Sequence, residues 1–256
     1  MPAVDRISIQ SLLSDPPFVI GTRGGSRDWP EMTVYGFEQA AAIPEIRAME
    51  ALVARTKDGV LVCSSEPTTE RLTGRRLTIA DETWATLSEL KVHARETKEP
   101  DQPAQPFARL DDIIDRFIDR FVFFVEPLSA ATVTNLMPKL ISLHAPNRIV
   151  WKQPINSSRF GEAKLHGFST WGYVLSDPAH LGSNLKRHAA SDEIDMIGAS
   201  ITKPKLAASV LDVAERYDKV PIAWNVRSGS ELSKAVTKGF LGISSTAVRE
   251  IAAIAG

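Results

Sequence analysis

The chain has 256 residues, 43% hydrophobic and 24% charged, with a formal net charge of −1. That length matches the roughly 250 residues typical of one barrel of eight strand-helix units, and the balanced charge provides no basic face for nucleic acid. The only cysteine, Cys63, excludes an intramolecular disulfide and a cysteine-based zinc cluster; the lack of an apolar signal core or of a run near ~20 apolar residues leads us to expect a cytoplasmic chain with no membrane partner.

After a polar lead, Phe18–Thr22 reads as a buried strand running into the backbone-permissive loop Arg23-Gly24-Gly25. Thr33 opens a helical stretch through Ala42. The next two apolar runs, Ala48–Ala54 and Val60–Glu66, are joined by Thr56-Lys57-Asp58-Gly59, which predicts a strand, a tight turn and a second strand. Alternation places Glu50, Leu52 and Ala54 on one face of the first, and Cys63 and Ser65 on one face of the second. The segment Pro67–Phe107 exceeds the ~12–15 residues of an ordinary connection. It carries a short helix, opened by Ala80–Thr83 and running through Leu90, and a Pro-rich linker at 99–106.

Leu110–Arg120 is predicted helical, with Leu110, Ile113, Ile114 and Phe117 on one stripe. Strands follow at Phe121–Leu128, Arg148–Gln153, Thr170–Leu175, Asp195–Ala199, Pro221–Val226 and Phe240–Ser244. Helices are predicted at Ser129–His144, Ser157–His166, Pro204–Tyr217 and Ser230–Thr237. The alternation argues for parallel βαβ units closed into one (β/α)8 TIM barrel, with 67–106 as an insertion. There are nine strand candidates for eight staves, and the pattern leaves open which of Thr170–Leu175 and Asp195–Ala199 is the less regular.

Several ordered motifs resemble the glycerophosphodiester phosphodiesterase family. Its opening His-Arg-Gly and Pro-Glu-Asn-Thr stand here as Thr22-Arg23-Gly24 and Pro30-Glu31-Met32-Thr33. Its Glu-x-Asp is Glu50-Ala51-Leu52, and its His-Asp before Pro-Thr and Arg-Leu-Thr-Gly is Ser65-Glu66 before Pro67-Thr68 and Arg71–Gly74. Its Glu-x-Lys is Glu126-Pro127-Leu128, its Trp-Thr-Val-Asn strand resembles Ala223–Val226, and its final aspartate is Ser245. The resemblance implies a barrel with a cap beside its mouth and Arg23 in a phosphate-contacting turn.

The family's reaction needs a divalent cation on hard oxygen ligands and two histidines to move protons. Of the matched ligands only Glu50 and Glu126 remain, and none of His93, His144, His166, His180 and His188 falls at a motif position. The expectation is therefore a disabled metal-dependent site with no metal and no cofactor, since the changes fall on chemistry while the frame is kept. Such a focus fits a pocket re-used by a lineage or re-engineered.

The altered mouth is expected to join Leu52, Leu128, Met32 and Trp224 with Phe124 in drier surroundings, where Glu50 or Glu126 would gain a raised pKa and serve as a general base. Thr22, Ser65 and Asn225 would then orient a small apolar or aromatic substrate. The alternatives are a catalytically silent barrel that holds a small molecule with Arg23 and an aromatic rim of Trp151, Trp171 and Trp224, or a residual phosphodiester hydrolase. Glu50 and Glu126 can also be paired with Arg23 or Lys152, and Lys152 is either that ion-pair partner or a Schiff-base amine. Cys63 reads as a small buried hydrophobe.

Overall fold

The computed structural model describes residues 7–97, 102–175 and 178–255, without the side chains of 178–183 and 255. Its strands are β1 Phe18–Gly21, β2 Ile46–Arg55, β3 Leu61–Cys63, β4 Lys91–Val92, β5 Gln105–Pro106, β6 Val122–Pro127, β7 Ile149–Pro154, β8 Ser169–Val174, β9 Met196–Ser200, β10 Val220–Val226 and β11 Gly242–Ser245. The parallel order β1-β11-β10-β9-β8-β7-β6-β2 closes by pairing β2 with β1. Helices lie between staves, as at Ala130–Ser142, Phe160–Leu165, Pro204–Arg216 and Gly229–Thr237. This is the (β/α)8 barrel that the alternation of patterns implies.

The ninth strand candidate resolves differently from the expectation. Both β8 and β9 are regular staves paired with each other, and the strand outside the ring is β3, which pairs antiparallel to β2 with Val53 opposite Cys63. Parallel neighbours need a crossover of a dozen or more residues; the turn Thr56–Gly59 is too short for that and folds the chain straight back. β3 also ends earlier than the apolar run suggests. Cys63 therefore packs into the outer core, where burial pushes its thiol pKa up and keeps it inert. Ser65, past the strand end, enters the barrel mouth instead of sharing Cys63's face.

Alternation along the staves sends Phe18, Ile20, Ala48, Val122, Phe124, Val150, Trp171, Met196 and Ile222 into the barrel interior. Ile9 and Leu12, from the helix Ile9–Leu13, close this cluster. Gly198 leaves room for Trp171: a Cβ there would lie 2.5 Å from the indole Nε1. The helices cover the outer faces, with Leu110, Ile113, Ile114 and Phe117 buried on the predicted stripe. The insertion has its own small core, in which Leu72, Ile79, Leu87, Leu90, Val92 and Phe107 meet Ala54 and Val62 of the hairpin. β4 and β5 pair antiparallel there; part of the predicted linker, 99–101, lies outside the described residues.

Candidate functional site at the barrel mouth

Strand register decides which side chains meet above this core. Parallel pairing sets Glu50 beside Phe124, Leu52 beside Glu126, and Phe124 beside Val150. Two residues further along β6 and β7, Glu126 and Lys152 are therefore neighbours, with Glu50 one layer deeper. The Lys152 Nζ lies 2.5 Å from both Glu50 Oε1 and Glu126 Oε2. Tyr173 donates its hydroxyl to Glu126 Oε1 at 2.6 Å, and the Tyr173 and Trp171 ring centroids are 4.8 and 5.1 Å from Nζ.

Burial alone lowers the Lys152 pKa, but the Glu126 and Glu50 carboxylates more than reverse it. The value lies above the ordinary lysine range. Lys152 is thus held as the ion-pair partner of both acids. Burial and the neighbouring Glu126 likewise push the Tyr173 phenol up, so it remains a donor. Both acids are paired, Glu50 with Lys152 and Glu126 with Lys152 and Tyr173.

A cavity of about 410 Å³ opens over this triad. Trp171, Tyr173, Leu175 and Leu52 form much of its apolar wall. The register slips between Ala223 and Val226 against β11, and Asn225 has φ 60°, so a bulge brings both Trp224 and Asn225 to the cavity. Thr22 also lines it, with its hydroxyl 2.6 Å from that of Ser244.

On the insertion side, buried Glu31 receives Arg71 at 2.6 Å, Arg23 at 3.0 Å and the hydroxyl of Ser65. Arg23 is further clasped by Glu96, through Nη1 and Nη2 at 3.0 and 3.2 Å, and Ser26 donates to the same carboxylate at 2.9 Å. Burial raises the Glu96 pKa, but Arg23 and Ser26 outweigh it and leave the carboxyl below the ordinary glutamate value.

Of the residues expected in the mouth, Thr22, Arg23, Glu50, Leu52, Ser65, Glu126, Lys152, Trp224 and Asn225 line the cavity. Leu128 does not. Its backbone N–H caps Val53 at 2.8 Å just after β6 ends, and its side chain covers the junction with the insertion core. Met32 and Trp151 pack into the outer core, and Phe124 lies among the interior side chains below. His93, His144, His166 and His188 stand away from the cavity, and the His180 side chain is outside the described residues. Sequence reasoning missed Tyr173, Leu175, Ser244, Thr246 and Glu96. Tyr173 was within reach, since it lies two residues beyond Trp171 on the same face of β8.

A closed parallel barrel whose cavity lies toward the carboxyl ends of its strands has the layout of a TIM-barrel enzyme site. Its lineage is also visible. The sequence model of the glycerophosphoryl diester phosphodiesterase family matches residues 23–171, and the chain belongs to that family. No curated protein matches it significantly. Among solved structures, a protein of Silicibacter pomeroyi assigned as a glycerophosphoryl diester phosphodiesterase superposes with a TM-score of 0.79 at 20% identity, covering 98% of this chain and 97% of its own. An Oleispira antarctica phosphodiesterase in complex with the product sn-glycerol-3-phosphate gives 0.75 at 18%, covering 95% and 98%. The Thermotoga maritima glycerophosphodiester phosphodiesterase gives 0.71 at 18%, covering 90% and 95%.

The divalent cation that the family implies does not fit the residues present. The point on which Glu50 and Glu126 converge is taken by an ammonium bonded to both, Leu52 offers no donor atom, and Lys152 has no lone pair to give a metal. Among the described residues, no three His, Cys, Asp or Glu side chains form another metal-ligand cluster. Nor is any helix among them long and apolar enough to cross a membrane.

Proposed function

We propose that this barrel binds a small, hydroxyl-bearing molecule with an apolar face in its mouth and does not carry out metal-dependent phosphodiester hydrolysis. The observation that carries this reading is the cavity lining, in which Trp171, Tyr173, Leu175 and Trp224 form an apolar wall and Thr22, Ser244 and Asn225 bring hydroxyl and amide groups. Glu50 Oε2, Trp224 Nε1 and Thr246 Oγ1 lie buried beneath this surface without a protein partner, which leaves about 1–3 kcal/mol of polar desolvation unrecovered at each. Hydroxyl and amide groups beside an aromatic wall suit a ligand with several hydroxyl groups and an apolar face.

The proton-transfer positions support the same reading. Thr22 and Ser65 carry hydroxyls engaged with Ser244 and Glu31, and neither titrates near neutrality. Hydrolysis of glycerophosphocholine is expected to show no turnover that magnesium, calcium or manganese restores and a chelator removes. Ligand binding is tested by calorimetry with sn-glycerol-3-phosphate and simple polyols: Trp224→Ala, which removes part of the aromatic wall, should weaken it by about 1 kcal/mol. Ordinary chelator-sensitive turnover would overturn the proposal.

One observation favours a second reading. Glu50 and Glu126 both line the cavity, and Glu50 has the fewer hydrogen-bond partners because Tyr173 bonds only Glu126, which makes Glu50 the candidate acceptor in metal-independent general-base chemistry. Glu50→Gln should then abolish turnover of an activated carbon acid while ligand binding persists. Unchanged turnover in that variant removes Glu50 from the chemistry.

A further inference from the structure

Glu50 and Glu126 come from adjacent strands and are each more than nine-tenths buried, as is Lys152. A buried pair of acids demands a cation, and here the cation is covalently attached to β7. Its Nζ bonds to both carboxylates at 2.5 Å, and the faces of Trp171 and Tyr173 enclose it from the side.

The charges explain why one lysine is sufficient. Two carboxylates and one ammonium leave a single net negative charge. An acid at position 52, level with Glu126 in the strand register, would add a third carboxylate, and a divalent ion would then be needed to reach the same balance. Leu52 removes that acid. Loss of the acid together with gain of the ammonium thus keeps the same net charge without a divalent ion, whereas two carboxylates with neither cation would be left unmatched.

We infer that Lys152 is a tethered counter-ion that takes the place of a divalent metal between Glu50 and Glu126, and that Leu52 and Lys152 form one reciprocal exchange. The inference goes beyond the proposed function, because it holds whatever the mouth binds and is tested without ligand or turnover.

The intact chain is titrated with Mn²⁺, following free ion by electron paramagnetic resonance and thermal unfolding with Mn²⁺ or EDTA. The unaltered protein is expected to bind no stoichiometric Mn²⁺ and to melt at the same temperature in both. The reciprocal variant Leu52→Asp/Lys152→Ser is expected to gain one Mn²⁺ per chain, at least about tenfold tighter than the parent, and a melting temperature that rises with Mn²⁺ and falls with EDTA. Lys152→Ser alone should melt below the parent in EDTA and recover partly in Mn²⁺. One-to-one Mn²⁺ binding by the unaltered protein that Glu50→Gln abolishes would overturn the inference, as would a folded reciprocal variant with no gain in Mn²⁺ affinity. If the reciprocal variant folds in neither buffer, the single variant decides: a Mn²⁺-dependent rise in its melting temperature supports the exchange, and identical melting in both buffers refutes it.

Discussion

A lysine ammonium held by two buried carboxylates is costly to create and more costly to break. Burial removes water from all three groups, and their mutual attraction compensates only while the set is complete. Lys152→Met keeps the stem and removes the charge, so it leaves Glu50 and Glu126 facing each other without a cation. Equilibrium urea unfolding should show a loss of about 3–5 kcal/mol. Adding Glu50→Gln and Glu126→Gln to the same chain should recover most of it, because the penalty lies in unmatched charge and not in lost packing. At this scale the sequence was half legible. The motif frame put both glutamates, Thr22 and Ser65 at the mouth, where they line the cavity, and left open whether Lys152 faces it, as it does. Their partners depend on register between strands far apart in sequence, such as Glu126 beside Lys152 and Glu50 one layer lower, and no single-strand pattern encodes that. Leu128 shows the reverse failure: it has the right parity for the mouth, but the strand ends one residue before it.

The insertion is the element that most changes the mouth. Its helix Trp84–Ser88 is anchored to the β2–β3 turn, where the Asp58 carboxylate accepts the Trp84 backbone N–H at 3.0 Å. That contact gives Asp58 and Gly59 a structural role independent of chemistry. From the other side of the insertion, Glu96 holds Arg23 in a two-pronged grip beside Ser26, Arg71 and Glu31. The Glu96 pKa is depressed, so its hold is complete above the ordinary glutamate pKa and is lost as pH falls through the depressed value. Hydrogen-exchange protection of 91–97, taken relative to the intrinsic rates, is therefore expected to be full at neutral pH and to fall selectively once the pH drops below the ordinary glutamate pKa, while the barrel strands stay protected. Glu96→Gln should bring that loss of protection to neutral pH; equal protection in both proteins would mean that the grip contributes nothing. A long, Pro-rich segment after a hairpin was readable as an insertion. The Glu96 contact was not, since nothing local to Glu96 indicates a partner 73 residues away.

At the level of the whole barrel, the two ends of the strands do different work. The mouth carries polar and ionic groups with incomplete bonding, which cost stability, and the interior below must make up for them by close packing. The helix Ile9–Leu13 belongs to that lower part. Ser8 and Ser11 cap it reciprocally, and it places Ile9 and Leu12 against Phe18, Ile20 and the other interior side chains. The alternation of strands and helices made the closed barrel legible from sequence. This helix escaped notice because five residues are too few for a 3.6-residue period to show. Leu12 is 1% exposed, and Leu12→Ala should destabilise the protein by about 2–5 kcal/mol through lost burial and the cavity left behind. Because Leu12 lies in the interior floor and does not itself line the cavity, any ligand affinity measured under folding conditions should remain within about twofold of the parent. Calorimetric titration alongside urea unfolding separates the two effects. A large loss of affinity with little loss of stability would show that the helix positions the mouth and not merely the core beneath it.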